Sequence, residues 1–466
     1  MRNRMIYGMI LWSVAVIGYG QECIGLEQAK QMALQNSKQI QLSNKVVEQT
    51  QEKQREYRAN FFPKISASAN YLLSNSKVTY TLDPNEILAS ALSGLRKDLA
   101  SLGVIPDESS WFLEQKPLTT KDYNFSLNNT LLLGISAKQP IYTGGKISSA
   151  YAMSKIGNEM AILNHTMTKA NILVQTEEAY WLCVKLEETL KATQAYNDVV
   201  EELVRILQNA TEAQMKSRND LLKAQQKLNE ARLMSLHVKN GLTLAKMNLN
   251  RLIGLPPETE IQMTEPLECD WVEVPIDQTS LPNRYDLQIL QKQALLKEEE
   301  IRLVRSDFLP NIGIQASYNY AKGVWVNGQP LLNNPGFSAI ISLNIPLFNF
   351  GEGRRKIRGA KIEQEIALLK INEAEEMMQM EIKKNSNEWQ EAMLKMEFAK
   401  QTLEQASENM RISKNKYEQG TILLADYLES QTAWKKAMTD YIEVKSECKL
   451  AQVRWKKAAG ICLLPE

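Results

Sequence analysis

Residues 61–73, FFPKISASANYLL, and residues 308–320, FLPNIGIQASYNY, carry one pattern written twice. Each starts with a bulky apolar pair and a proline, which ends the helical pattern before it, and then switches to a period of two. In the first copy Ile65, Ala67, Ala69, Tyr71 and Leu73 alternate with Ser66, Ser68, Asn70 and Ser74. In the second, Ile312, Ile314, Ala316, Tyr318 and Tyr320 alternate with Asn311, Gly313, Gln315, Ser317 and Asn319. Successive strand residues point to opposite faces, so each segment is a strand with an apolar side and a small-polar side.

The correspondence extends along the chain. Phe61, Pro63, Ile65, Ala69 and Tyr71 recur as Phe308, Pro310, Ile312, Ala316 and Tyr318, an offset of 247 (61 to 308). Downstream, Pro140, Gly145, Ala161, Asp220, Gln225, Ala245 and Gly254 recur as Pro346, Gly351, Ala367, Asp426, Gln431, Ala451 and Gly460, an offset of 206 (140 to 346). The offsets differ by 41, so one insertion separates the copies. The chain divides into a leader at 1–20, a first repeat at 21–254, a linker at 255–281 and a second repeat at 282–466. Two copies of one unit imply symmetric wall building rather than a single catalytic pocket.

Two more alternating segments complete the set. Tyr123, Phe125, Leu127, Leu131, Leu133, Ile135 and Ile141 oppose Asn124, Ser126, Asn128, Thr130, Ser136 and Lys138, with Asn129 and Gln139 interrupting the apolar side. Phe337, Ala339, Ile341, Leu343 and Ile345 oppose Ser338, Ser342 and Asn344. A soluble sandwich would carry Lys, Glu and Arg on its polar faces. An apolar outside with a small, neutral polar inside is the pattern of an outer-membrane barrel wall. Four strands close no such barrel, and hydrocarbon tolerates no open edge. Three copies supply twelve strands, so the expected assembly is a homotrimer in outer-membrane lipid; the alternative is a pair of soluble hairpins packed on helices.

Between hairpins lie helical patterns without breaks, at about 146–214 and 221–253 and again at about 354–417 and 423–459. A run of about 65 residues spans on the order of 100 Å, so these helices need helical neighbours along their length and are expected to pair as antiparallel coiled coils. A shorter amphipathic helical pattern runs from Gly25 to Ala59. The fold class is α+β: a four-stranded share of a barrel plus a long coiled-coil section. The 41 extra residues fall in the first hairpin's loop, taken as 75–121, where the spacing at 83–103 predicts a short helix.

Arg2 and Arg4 precede an apolar run from Met5 to Ile17, and Gly18 and Gly20 follow; this is the layout of a cleaved export signal. Cys23 stands just after it, but Gly20, Gln21 and Glu22 do not fit lipoprotein processing. Cys183, Cys269, Cys448 and Cys462 have no metal spacing and are expected to be unpaired thiols, with a Cys448–Cys462 bridge the alternative. Lys plus Arg number 55 against 54 for Asp plus Glu, without a basic cluster of the kind that binds nucleic acid. The only histidines are His165 and His237, both in helical stretches. No nucleophile elbow, zinc-binding pair or phosphate loop is present, and YTGGK at 142–146 reads as a tight turn. No enzymatic reaction, cofactor or metal site is expected.

The sharpest local motif joins the coil helices: YEQGTILLADYL at 417–428, aligned with TEAQMKSRNDLL at 211–222. With the leader, the two Pro-initiated hairpins, the Gly-containing strand exits at 144–145 and 351–353 and this turn, the chain resembles the TolC-type outer-membrane efflux channels over essentially its mature length. The resemblance implies a trimer with its barrel in the outer membrane and a helical tunnel in the periplasm. It also implies a periplasmic adaptor and an inner-membrane transporter as partners, and passive conduction of cargo in efflux or type I secretion. A non-conducting scaffold or adaptor is the alternative.

It further implies a gate. Tyr417 and Asp220 match a family contact that holds the aperture shut. The positions of a second contact are occupied by Asn219 and Ile422, so that contact is missing, with Arg218 or Lys216 as substitutes. Asp426 and Glu429 match acidic residues of the constriction; spaced three apart, they share a helix face. The tip residues Gly420, Thr421 and Gln214 are the expected adaptor contact.

Overall fold

The computed structural model describes residues 22–83, 121–269, 281–332 and 335–461, with scattered positions from 85 to 97. The expected leader lies outside the described residues, as do Cys462 and most of the helix expected at 83–103. Two compact units are formed, and each draws on both halves of the sequence.

One unit, residues 54–152 and 299–360, is built on a sheet. Its strands are β2 (Lys64–Leu82), β3 (Lys121–Tyr142), β5 (Asn311–Val326), β6 (Gln329–Leu332) and β7 (Gly336–Asn344). All pair antiparallel in the order β2-β3-β5, with β6 and β7 following one another along the far side of β5. The expected four strands are therefore present, the fourth in two pieces after a tight turn at Asn327 and Gly328, both with positive φ. The first hairpin pairs out to Leu82 and Lys121, so strand takes up the flanks of the region expected to be loop.

Register turns the alternation into rows. Ser66, Ser136, Ser317 and Ser338 pair in sequence across all four strands, and the next row is Ala67, Ile135, Tyr318 and Phe337. Ser66 bonds Ser136 at 3.0 Å, and Ser317 bonds Ser338 at 2.8 Å. The opposite face exposes Ile65, Leu73, Ile135, Phe337, Ile341 and Leu343. Leu132 and Ile340 interrupt the polar side. Among the described residues neither β2 nor the β6–β7 side has a further strand partner, so the sheet of one chain is open.

The other unit is helical. Its long elements are α3 (Lys146–Glu212), α4 (Arg218–Ile253), α6 (Glu352–Glu418) and α7 (Leu424–Ala458); α3 and α6 enter it from the sheet unit and have 67 residues each. At 1.5 Å per residue each spans about 100 Å. Asn197 bonds Ser235 and Arg232 pairs with Glu201, joining α3 to α4. Lys445 pairs with Glu188 and Lys185 with Glu443, joining α3 to α7. α5 (Tyr285–Ser306) starts in this unit and ends in the other.

Part of the core lies around a short parallel pair, β1 (Glu22–Ile24) with β4 (Ile261–Met263), which sequence periodicity did not reveal because three residues carry no alternation. Tyr180 and Trp181 of α3, Leu249 and Ile253 of α4, and Leu267 pack with Ile24 and Ile261. The Tyr180 hydroxyl donates to the Ile24 carbonyl at 3.2 Å, and burial pushes its pKa up to about 12.

The helical pattern from Gly25 to Ala59 is two helices, α1 (Leu26–Asn36) and α2 (Lys38–Ala59), interrupted at Ser37. Beside the break, α1 meets the end of α4. Asn36 donates to the Ile253 carbonyl at 3.1 Å, and a Cβ on Gly254 would come within 2.3 Å of Asn36. Cys269 and Cys448 form a disulfide, correcting the expectation of unpaired thiols and of the Cys448–Cys462 alternative. No spacing signal marks this pair, because 179 positions separate the partners. Cys183 is a buried free thiol, and Cys23 in β1 an exposed one.

Candidate gate at the two helical turns

Both turns are made by the same backbone device. The N–H of Met215 donates to the Ala210 carbonyl at 2.8 Å, and that of Thr421 to the Lys416 carbonyl at 2.9 Å. Each needs a left-handed residue one position earlier, and these are Gln214 at φ 56° and Gly420 at φ 72°. Glycine takes that conformation without strain, whereas Gln214 holds it against its own Cβ. Gln214, Gly420 and Thr421 are all exposed.

Beneath the turns a cluster draws on all four long helices: Leu203 and Leu207 of α3, Ala224 of α4, Tyr417 of α6, and Leu424 and Tyr427 of α7. Tyr417 stacks on Tyr427 with ring centroids 5.3 Å apart and planes inclined by 17°. The Lys216 ammonium lies 4.9 Å from the Tyr417 ring centre, a cation over a π face. Lys216, named from the sequence only as a substitute, is thus placed on the central aromatic residue. Ile422, at one of the two positions of the missing second contact, packs at the edge of the cluster.

The Tyr417 hydroxyl is buried and has no hydrogen-bond partner, so the chain does not make a Tyr417–Asp220 hydrogen bond. The two groups still sense each other. The Tyr417 pKa lies above the ordinary tyrosine value, first because burial disfavours the phenolate, then because of the Asp220 carboxylate and the neighbouring Tyr427.

The remaining candidates stand on the helix starts. Ser217 caps α4, accepting from the Asn219 N–H at 3.1 Å; the Asn219 and Arg218 side chains are exposed. Asp426, the third residue of α7, reaches back to accept from the N–H of the N-cap residue Leu423 at 3.3 Å. Glu429 is exposed one turn on. Tyr427 is the residue sequence reasoning missed: its spacing from Tyr417 spans the turn, and only the folded hairpin makes them neighbours. A cleft of about 430 Å³ adjoins the cluster, with walls that include Leu203, Ile206, Met410 and Tyr427 and with Glu202, Lys216 and Lys414 among its charged groups.

Among known proteins, the model of the outer membrane efflux protein family matches residues 29–255 and 277–461. The alkaline protease secretion protein AprF of Pseudomonas aeruginosa is 22% identical over 341 residues, 70% of this chain and 69% of AprF. The outer membrane protein VceC of Vibrio cholerae superposes with a TM-score of 0.70 at 16% identity, covering 93% of this chain and 96% of VceC. The CmeC outer membrane channel of Campylobacter jejuni gives 0.72 at 17% identity, covering 93% and 85%.

Proposed function

The chain belongs to the outer membrane efflux protein family, and from that premise we propose that three copies close a twelve-stranded barrel and form the exit duct of a tripartite efflux or type I secretion machine. The family is a transport duct of the outer membrane rather than an enzyme. The observation that carries the trimer is the open sheet: four strands, an exposed apolar face, a serine row behind it, and two edges without partners among the described residues. Lipid supplies no hydrogen bonds to such edges, so strands of other copies must. The scaffold alternative is set aside, because the family match spans strands and helices alike. The likeness to AprF favours a protein cargo over a small molecule.

Conduction is passive, and the energy comes from the inner-membrane transporter. The adaptor meets the turns at Gln214, Gly420 and Thr421. Each protomer holds its turns by the stack of Tyr417 on Tyr427 and the Lys216 cation over the Tyr417 ring, with the Asp220 carboxylate near enough to act on Tyr417. Three copies of Asp426 and Glu429 place six carboxylates around the axis, which favours cations.

Complex mass followed by planar-bilayer conductance tests the proposal. Trimers with small, cation-selective currents are expected, and a Lys216→Ala, Tyr427→Ala double variant should conduct several times more. Inserted monomers or anion selectivity would overturn the assembly or the acidic aperture. If Tyr417→Phe alone opens the channel, the hydroxyl is the latch and the stack is not.

A further inference from the structure

Where the sheet passes into α6 the chain reads IPLFNFGEGRRKIR, residues 345–358. Its apolar part lies in the open: Leu347 is 89% exposed, Phe348 73% and Phe350 93%, and the two rings meet edge to face at 4.7 Å. They continue the exposed apolar face that ends with Ile341, Leu343 and Ile345. Phe350 keeps its side chain at φ 47°, a conformation disfavoured for a residue with a Cβ.

The basic part follows within two turns of helix. Arg354, Arg355, Lys356 and Arg358 are exposed. Lys356 pairs with Glu352 at 2.7 Å, while the three arginines have no ion-pair partner among the described residues. They lie off the packed side of the helix, which is marked by Gly353, where a Cβ would stand 2.8 Å from the Phe308 ring. Cations at this end of a helix oppose its dipole, so the cluster does not serve the helix itself.

Nor does it serve the junction. The matching segment, 139–152, reads QPIYTGGKISSAYA and has one cation, Lys146, paired with Asp307 at 2.8 Å. The same strand-to-helix passage is thus made without the arginines.

We propose that residues 347–358 form a collar that binds the phosphate headgroups of anionic glycerophospholipids in the periplasmic leaflet, the aromatic side chains entering the interface and the arginines taking the headgroup charge. The proposal rests on the outer-membrane reading, since the collar is continuous with the face assigned to lipid. A soluble polyanion would leave Leu347, Phe348 and Phe350 without a role, whereas a lipid uses both parts of the patch.

The test is native mass spectrometry of the full chain released from bilayers of phosphatidylcholine mixed with phosphatidylglycerol. The wild type should retain phosphatidylglycerol preferentially, and the preference should fall on the order of tenfold in Arg354→Gln, Arg355→Gln, Arg358→Gln. Arg205→Gln with Arg411→Gln, both on exposed helix surface of the other unit, should keep it. Phe350→Gly should lower total retained lipid while sparing the headgroup preference. Unchanged preference in the triple variant would overturn the collar, as would its displacement by inorganic phosphate at matched ionic strength. Failure of the wild type to insert into either bilayer would instead overturn the outer-membrane reading.

Discussion

The hairpins α3–α4 and α6–α7 are built to one plan and filled differently. Their first helices are equally long, their turns close through the same carbonyl, and their ends use the same bond, Leu255 N–H to Asn250 at 2.8 Å and Ile461 N–H to Lys456 at 3.1 Å. At positions 206 apart the side chains diverge. Cys183 answers to Trp389, Leu249 to Trp455, Leu242 to Cys448, Thr211 to Tyr417 and Gln214 to Gly420. In the second hairpin Trp389 and Trp455 lie 5.2 Å apart beside the Cys269–Cys448 bridge, and Tyr417 stacks on Tyr427 at the turn. In the first hairpin Cys183 and Leu249 lie in the core that also holds the edge-to-face pair Tyr180 and Trp181, and Thr211 stands at the turn. Helix lengths and terminal hydrogen bonds need only backbone, so the plan persists while the cores diverge. The disulfide and the aromatic stack at the turn belong to the second hairpin.

That asymmetry can be broken most strongly at the disulfide. Replacing Cys269 and Cys448 by Ala should destabilise the protein by about 4 kcal/mol, since the bridge closes a very long loop of the unfolded chain. Chemical denaturation in detergent, followed by helix circular dichroism, measures it; a loss below about 1 kcal/mol would mean that the bridge adds little.

At the turns, Tyr417→Ala should cost about 3 kcal/mol through the lost stack and the cavity left behind. Thr211→Ala at the matching position should cost less than about 1 kcal/mol. Equal costs would show that the turns are anchored alike.

Exchanging the left-handed residues sharpens the comparison further. Gln214→Gly should stabilise by about 1 kcal/mol and Gly420→Gln destabilise by about as much, because nothing lies within 4 Å of a Cβ at Gly420 and only backbone strain is at stake. Thermal melting of both variants, with opposite shifts, checks this.

The smallest effect belongs to Tyr417→Phe, within about 0.5 kcal/mol, as the hydroxyl has no partner to lose. The pH dependence should distinguish it. Because the folded pKa of Tyr417 is raised, its contribution is complete below the ordinary value of 10.0 and is lost as pH rises through the raised value. The Phe variant should lack that part of the alkaline loss in a pH series of melts.

The strands and long helices were legible because each carries many periods of its own pattern. Ile65 to Leu73 and Ile312 to Tyr320 each repeat the alternation enough times to leave one interpretation. The break at Ser37 was not legible: the groups that Asn36 meets beside it, Ile253 and Gly254, come from the far end of the repeat. Of the gate candidates, Tyr417 and Asp220 were named because the resemblance to the channel family implies them, whereas Tyr427 and Lys216 acquire their place from the way the hairpin closes.

Local order along the chain therefore determined the strand faces, the helix lengths and the turn positions, because these depend on residues a few positions apart, and recurrence at fixed offsets determined the likeness of the halves. Tertiary structure alone decided the serine row across four strands, the Cys269–Cys448 pairing, the β1–β4 pair and the stack under the turns. Each of these joins residues whose separation carries no periodic signal, and each forms only when packing of the long helices or the register of the sheet brings them together.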